Sequence, residues 1–339
     1  MRCMTHSQGR TRSPWPICIW IVVLTLLLSG CGATATRVYR VGILSGLDYF
    51  ATTTDGFKAK MTELGYVEGK NIVYDVQKTN VDSAAEERIL NKFVADKVDL
   101  IFVFPTEASL EAKQAIQGTD IPVVFANAFI EQGGLVNSVR EPGGNVTGVR
   151  FPGTDIAIKR MEILRELAPQ AKRLWVPYQK GYPNVPPQIE ALRPAAAAAG
   201  VTLVEAPFAN VAELQADLQV RTKSADIGMD AILMIPEPLL VTPGAFPAIG
   251  QFAAEHKLLA GGTLIIAGNY SSVFGVISDN VAVGQQAAAL ADKILKGTTA
   301  GTLPVVSPES FLKINYKAAQ ALKLTVPDGL LRQAAEVIR

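Results

Sequence analysis

Short apolar runs alternate with segments whose apolar residues recur at helical spacing, and the alternation occurs twice along the chain. No other feature restricts the fold as much, because strand-helix repeats of this kind build parallel sheets with helices on both faces. Residues 98–104 are apolar almost throughout, as expected of a strand covered on both sides. Strands are expected before it at 38–44 and 72–76. Phe57, Met61 and Leu64 mark a helix that stops at Gly65, and Ser83 with Glu86 has the spacing of a capping box that opens the next. A helix over 106–117, ended by Gly118, and a strand over 121–126 complete one doubly wound lobe.

The same order then returns. Ile158, Met161, Leu164 and Leu167 mark a helix, followed by a strand at 173–178, an alanine-rich helix at 194–199 and a strand at 201–205. Asn210 and Glu213 repeat the capping pattern, ahead of a strand at 231–235, a helix around 246–256 and a strand at 263–267. A strand at 273–277, a long helix at 281–295 and C-terminal pieces are too short for a third domain. The predicted fold class is therefore α/β, with two Rossmann-like doubly wound lobes joined by a hinge. Residues 38–150 plus about 272–300 are assigned to lobe 1, and 151–271 plus about 301–339 to lobe 2. The connections are expected near Val149-Arg150-Phe151 and after Tyr270.

The N-terminus reads as an export signal. Arg2, Arg10 and Arg12 precede an apolar stretch of about 14 residues, short of the roughly 20 that a spanning helix needs. Leu28-Ser29-Gly30-Cys31 closes it in the pattern of a lipobox, so residues 1–30 are expected to be removed and Cys31 to carry acyl chains, with 31–37 as a tether. The remaining 309 residues would keep 29 of the 32 basic side chains and all 31 acidic ones. A net charge of −2 gives no basic surface for nucleic acid. Cys3, Cys18 and His6 leave with the signal, so Cys31 and His256 are the last of their kinds. Neither a disulfide, a thiolate metal site, a cysteine nucleophile nor a histidine cluster can then be assembled, and no cofactor is expected.

In an open parallel sheet, ligands sit beyond the carboxyl ends of the strands. Ser45, Thr106 with Glu107, and Asn127 follow strands of the first half; Tyr178, Glu237, and Asn269 with Tyr270 follow strands of the second; Ser278 and Asp279 follow the returning strand. A cleft between two such edges suits a small polar molecule, and a ligand carboxylate is expected at the helix N-terminus beginning with Thr106. Each residue also has a structural use: Thr106 and Asp279 as helix caps, Glu107 as a favourable charge in a first turn. Catalytic patterns fail. Gly65 to Lys70 resembles a phosphate loop but lacks one spacer residue and the following Ser or Thr, and no HExxH, DxDxDG or GxSxG occurs.

Four stretches carry a family resemblance. They are Asp55-Gly56-Phe57 with 63–71, Gly134-Leu135-Val136, Pro142-Gly143-Gly144-Asn145-Val146-Thr147-Gly148, and Leu295-Lys296-Gly297. Together they resemble the substrate-binding lipoproteins of a bacterial ABC transporter family that includes tryptophan and tyrosine binders. The resemblance implies a type I periplasmic-binding-protein fold with a three-strand hinge, and a cleft lined by Ser45, Thr106, Asn127 and the position of Glu237. It also implies a permease and its ATPase as partners, anchorage to a membrane by lipid, an extracytoplasmic location and a monomeric chain that is not an enzyme. Where the family often has Asp-Pro this chain has Phe129-Ile130, and where it often has aspartate it has Glu237. A ligand sensor that signals to a receptor, and an extracytoplasmic enzyme, are the alternative readings.

Overall fold

Two-sided burial shapes the first half of the chain. The computed structural model describes residues 37–339 except 81 and 132, together with Met1 and Met4; the rest of the expected signal segment and Cys31 lie outside the described residues. Strands β1 (Tyr39–Ser45), β2 (Ile72–Lys78), β3 (Leu100–Phe104), β4 (Val123–Ala128) and β5 (Val146–Arg150) form a wholly parallel sheet in the order β2-β1-β3-β4-β5. Every residue of β3 and β4 is buried. Helix α1 (Thr52–Glu63) covers one face, where Phe57 stacks on Phe102 with ring centres 4.2 Å apart. On the other face, α2 (Ser83–Ala95) and α3 (Thr106–Ala115) bring Leu90, Phe93, Ala108 and Ala112 against Ile101 and Val103.

A second parallel sheet, in the order β7-β6-β8-β9, comprises β6 (Arg173–Gln179), β7 (Thr202–Phe208), β8 (Ala231–Leu233) and β9 (Leu259–Gly261). Helices α4 (Gly153–Leu167) and α5 (Val185–Ala198) share one core with it, whereas α6 (Val211–Thr222), α7 (Pro238–Val241) and α8 (Ala245–His256) share the other. A hairpin of β10 (Ile266–Ala267) and β11 (Tyr270–Ser271) follows. The strand β12 (Phe274–Ser278) leads into α9 (Asn280–Leu295), which returns to the first lobe and lays Val283, Ala287, Ala288 and Ala291 in its core. The chain ends with β13 (Ser310–Asn315), α10 (Tyr316–Ala321), α11 (Asp328–Gln333) and β14 (Ala334–Ile338); β13 pairs antiparallel with β12 and parallel with β14.

The chain passes between the lobes three times. Val149 belongs to the first core and Phe151 packs on the second; Val276 lies in the second and Val283 in the first; Val306 packs on the first and Leu312 lies in the second. The strand expected at 273–277 therefore packs with lobe 2, and the crossing falls after it, because β12 is tied to β13 rather than to the first sheet.

Three local expectations also need correction. The fourth strand of lobe 2 is β9, not 263–267, which holds only one arm of a hairpin with Ile266 59% exposed. The true strand, Leu-Ala-Gly, is short and has no β-branched residue; its Gly261 leaves room for Phe274, whose ring would lie 2.2 Å from an added Cβ. Helix α5 begins at Val185 rather than near 194, since prolines in its first turn lack only N–H groups that a helix start leaves unpaired. At α2 the cap is Asp82, which accepts from the Ala85 N–H at 3.0 Å, so the Ser83 and Glu86 box does not form.

Glu86 is instead buried, accepting a 2.7 Å bond from the Thr79 hydroxyl. Burial pushes its carboxyl up to about 7, with Glu111, Glu107 and Asp82 adding to the rise and Thr79 opposing it. The folded protein therefore holds this proton more tightly than the unfolded chain does. Stability from this group is present below about pH 4.5 and is lost as pH rises to about 7. Glu86→Gln should flatten that loss, recovering up to about 3 kcal/mol at pH 8, as measured by denaturant unfolding across pH.

Candidate ligand-binding cleft

The carboxyl ends of both parallel sheets open onto one cleft between the lobes, of about 730 Å³ counted to its open mouth. Lobe 1 contributes Tyr49 and Phe50 from the loop after β1, Asn127 and Phe129 from the end of β4, and Asn280 from the start of α9. Lobe 2 contributes Phe151, Arg160 on α4, Tyr182 and Asn184 after β6, Glu237 after β8, and Ser278. Five of these side chains are aromatic, and Phe129 and Phe151 meet across the lobes with ring centres 5.4 Å apart.

The expected site residues divide into those on the wall and those behind or away from it. Asn127 is on the wall, with φ +50° at a bulge where β4 pairs with β5. Asparagine tolerates this left-handed conformation better than most residues, and backbone so held is common at binding sites. Its amide nitrogen donates to the Thr53 hydroxyl at 3.1 Å, whereas its buried Oδ1 has no partner. Glu237 also lines the cleft. It caps α7, and its carboxylate accepts from the N–H groups of Leu239, Leu240 and Gln179 at 2.9, 3.0 and 3.0 Å. Burial pushes this carboxyl up to about 7 while the three backbone donors pull the other way.

Thr106 and Glu107 stand behind the wall. Thr106 is the first residue of α3, and Pro105 occupies the cap position. Its hydroxyl oxygen accepts from the Phe129 N–H at 3.0 Å and, across the lobes, from Asn184 Nδ2 at 3.2 Å. The Glu107 carboxyl is raised by burial and partly lowered by the Tyr182 hydroxyl from the opposite lobe. Ser45 is buried at the end of β1 with its hydroxyl unpartnered. Tyr178 faces Glu205 at 3.4 Å in a separate surface depression. Asp279 caps α9, accepting from Val281 and Ala282 N–H at 2.8 and 3.1 Å. Tyr270 packs against Gly250 instead.

Thr106→Ala would leave the buried Phe129 N–H without an acceptor and remove the Asn184 bond between the lobes. It should lower stability by about 1–3 kcal/mol, checked by thermal melts beside calorimetric ligand titration.

Arg160 was not foreseen. It lies on the stripe of α4 that carries Ile156, Ile163, Leu164 and Leu167, all buried. A charge on an otherwise apolar helical stripe was the available signal. Among the described residues, no cluster of His, Cys, Asp and Glu could hold a metal, and no helix is long and apolar enough to cross a membrane.

Residues 42–338 match the model of a family described as ABC transporter substrate binding protein. The chain belongs to that family. A tyrosine-binding protein of Clostridioides difficile (strain R20291) is 30% identical over 276 residues, covering 79% of this chain and 76% of the relative. The L-Trp complex of an ABC domain from Streptococcus pneumonia has the same fold, with a TM-score of 0.76 at 23% identity, covering 89% of this chain and all of that one. A substrate-binding protein with adhesive properties from Clostridium difficile, solved ligand-free and open, gives 0.68 at 25% identity, covering 88% and 99%. The two-lobed architecture is that of type I periplasmic binding proteins. Family membership makes this an extracytoplasmic solute-capturing component of an ABC importer, in a family of binding proteins rather than enzymes.

Proposed function

We propose that this protein is a monomeric, lipid-anchored receptor that closes on an aromatic amino acid and delivers it to its permease. The observation that carries the reading is the cleft walled by five aromatic rings drawn from both lobes. Rings of this kind offer a large apolar contact with preferred offset or edge-on geometries, which favours a flat aromatic ligand. The relative named for tyrosine binding supports the same ligand class. Residues 39–150 with 280–306 form one jaw, and 151–278 with 307–339 the other. Asn127 and Glu237 lie on the ligand-facing wall, and Thr106, Glu107 and Ser45 support it.

The test is calorimetry on protein unfolded and refolded to strip carried-over ligand. L-Tyrosine and L-tryptophan should bind, with leucine and myo-inositol far weaker; no heat with any amino acid would sink the reading. Anchorage rests on the lipobox before Cys31. Cys31→Ser should move the protein out of the membrane fraction, because several acyl chains hold a protein to a bilayer and none would remain. Unchanged partition into a detergent phase would remove the anchor from the proposal.

A further inference from the structure

Arg160 is 1% exposed and lines the cleft, yet among the described residues no carboxylate pairs with it. Its Nε and Nη2 both donate to one acceptor, the Val276 carbonyl, the first at 3.1 Å. Nη1 is buried and has no partner. Burial draws its pKa down to about 9, so it keeps its charge at neutral pH. A buried cation left this way is disfavoured unless something of opposite charge completes it. The other charged group on the cleft wall, Glu237, has both oxygens engaged by backbone N–H groups. Tyr49, from the other lobe, lies within electrostatic reach of the guanidinium but is normally neutral.

We infer that Arg160 is the anchor for an anionic group of the ligand, a carboxylate in an amino acid, and that Nη1 is the donor held open for it. The inference rests on the receptor reading above and adds to it the side chain that selects the ligand's charge. It also moves the carboxylate from the start of α3, where the Thr106 oxygen already accepts two bonds, to the opposite lobe. Closing the lobes then brings the ligand ring against the aromatic wall while the anion completes the buried cation. The unpartnered Asn127 Oδ1, on the cleft wall, remains as an acceptor for a ligand ammonium.

The experiment compares L-tyrosine with tyramine, which lacks the carboxylate, and with 3-(4-hydroxyphenyl)propionate, which lacks the ammonium. Wild-type protein should bind tyrosine at least about a hundredfold more tightly than tyramine, since truncating one partner of a buried charged pair costs that order of affinity. The propionate should bind measurably. Arg160→Gln, which retains a donor for Val276, should lose about a hundredfold toward tyrosine, bringing it close to tyramine. A purely structural role would instead weaken all three together. Arg160→Lys, which keeps the charge without the fork of donors, provides the same comparison if the glutamine variant does not melt cooperatively, and should fall between. Equal wild-type affinity for tyrosine and tyramine, or an unchanged preference in both variants, overturns the assignment and leaves the receptor reading intact. Failure of wild-type protein to bind any of the three overturns the assignment, and failure with tryptophan and the other amino acids as well overturns both.

Discussion

Gly284→Val is expected to cost about 3 kcal/mol or more of folding stability, at the upper end of what overpacking a core does. Helices α1 and α9 touch backbone to backbone. A Cβ at Gly284 would sit 2.1 Å from the Thr53 carbonyl oxygen and 2.7 Å from the Phe57 nitrogen, and one at Gly56 would sit 2.1 Å from the Val281 carbonyl oxygen. None of these atoms is the free end of a side chain, so the helices themselves would have to separate. Separation would pull Val283, Ala287 and Ala291 away from Phe57 and the sheet beneath. Gly329→Ala is the control. That glycine lies in α11 with nothing within 4 Å of an added Cβ, so the substitution should be neutral or stabilising by up to about 1 kcal/mol. Denaturant unfolding of both variants checks the contrast, and similar midpoints would show that the α1–α9 approach is softer than its distances imply.

Ligand should stabilise the protein strongly and make it more compact. A ligand that binds only the native state at a thousandfold excess over Kd adds about 4 kcal/mol. With L-tyrosine this should raise the melting temperature by several degrees in a chain of this length. The lobes are already bridged in the described arrangement, by the Asn184 bond to Thr106 and by the contact of Phe129 with Phe151. Without ligand these few contacts must hold the cleft shut against the desolvation of Arg160, and the open form should then predominate. Small-angle scattering should show a smaller radius of gyration at saturation. An unchanged radius alongside a raised melting temperature would point to binding without hinge motion.

Period and punctuation made the architecture legible in the sequence. β3 could be recognised because a strand covered on both faces must be apolar throughout, and α9 because its apolar positions recur at helical spacing up to Gly297. The reciprocal cap was also readable: Asn210 accepts from Glu213 N–H at 3.0 Å, and Glu213 accepts from Ala209 N–H at 2.8 Å. In contrast, β9 was hidden because Leu-Ala-Gly owes its place to packing against Phe274 rather than to β propensity.

For the cleft, sequence order determined which residues follow strand ends, and so brought Asn127 and Glu237 onto the wall. It could not determine which way those ends face. Tyr178 follows a strand as Asn127 does, yet it turns toward Glu205, and Asp279 spends its carboxylate on the first turn of α9. Only the tertiary structure brought Asn184 to Thr106, 78 positions away, and laid Arg160 beside a cleft whose far wall includes Tyr49, 111 positions earlier. The physical reason is that local sequence determines backbone periodicity and capping, whereas the charge environment of a side chain depends on what a distant segment places against it.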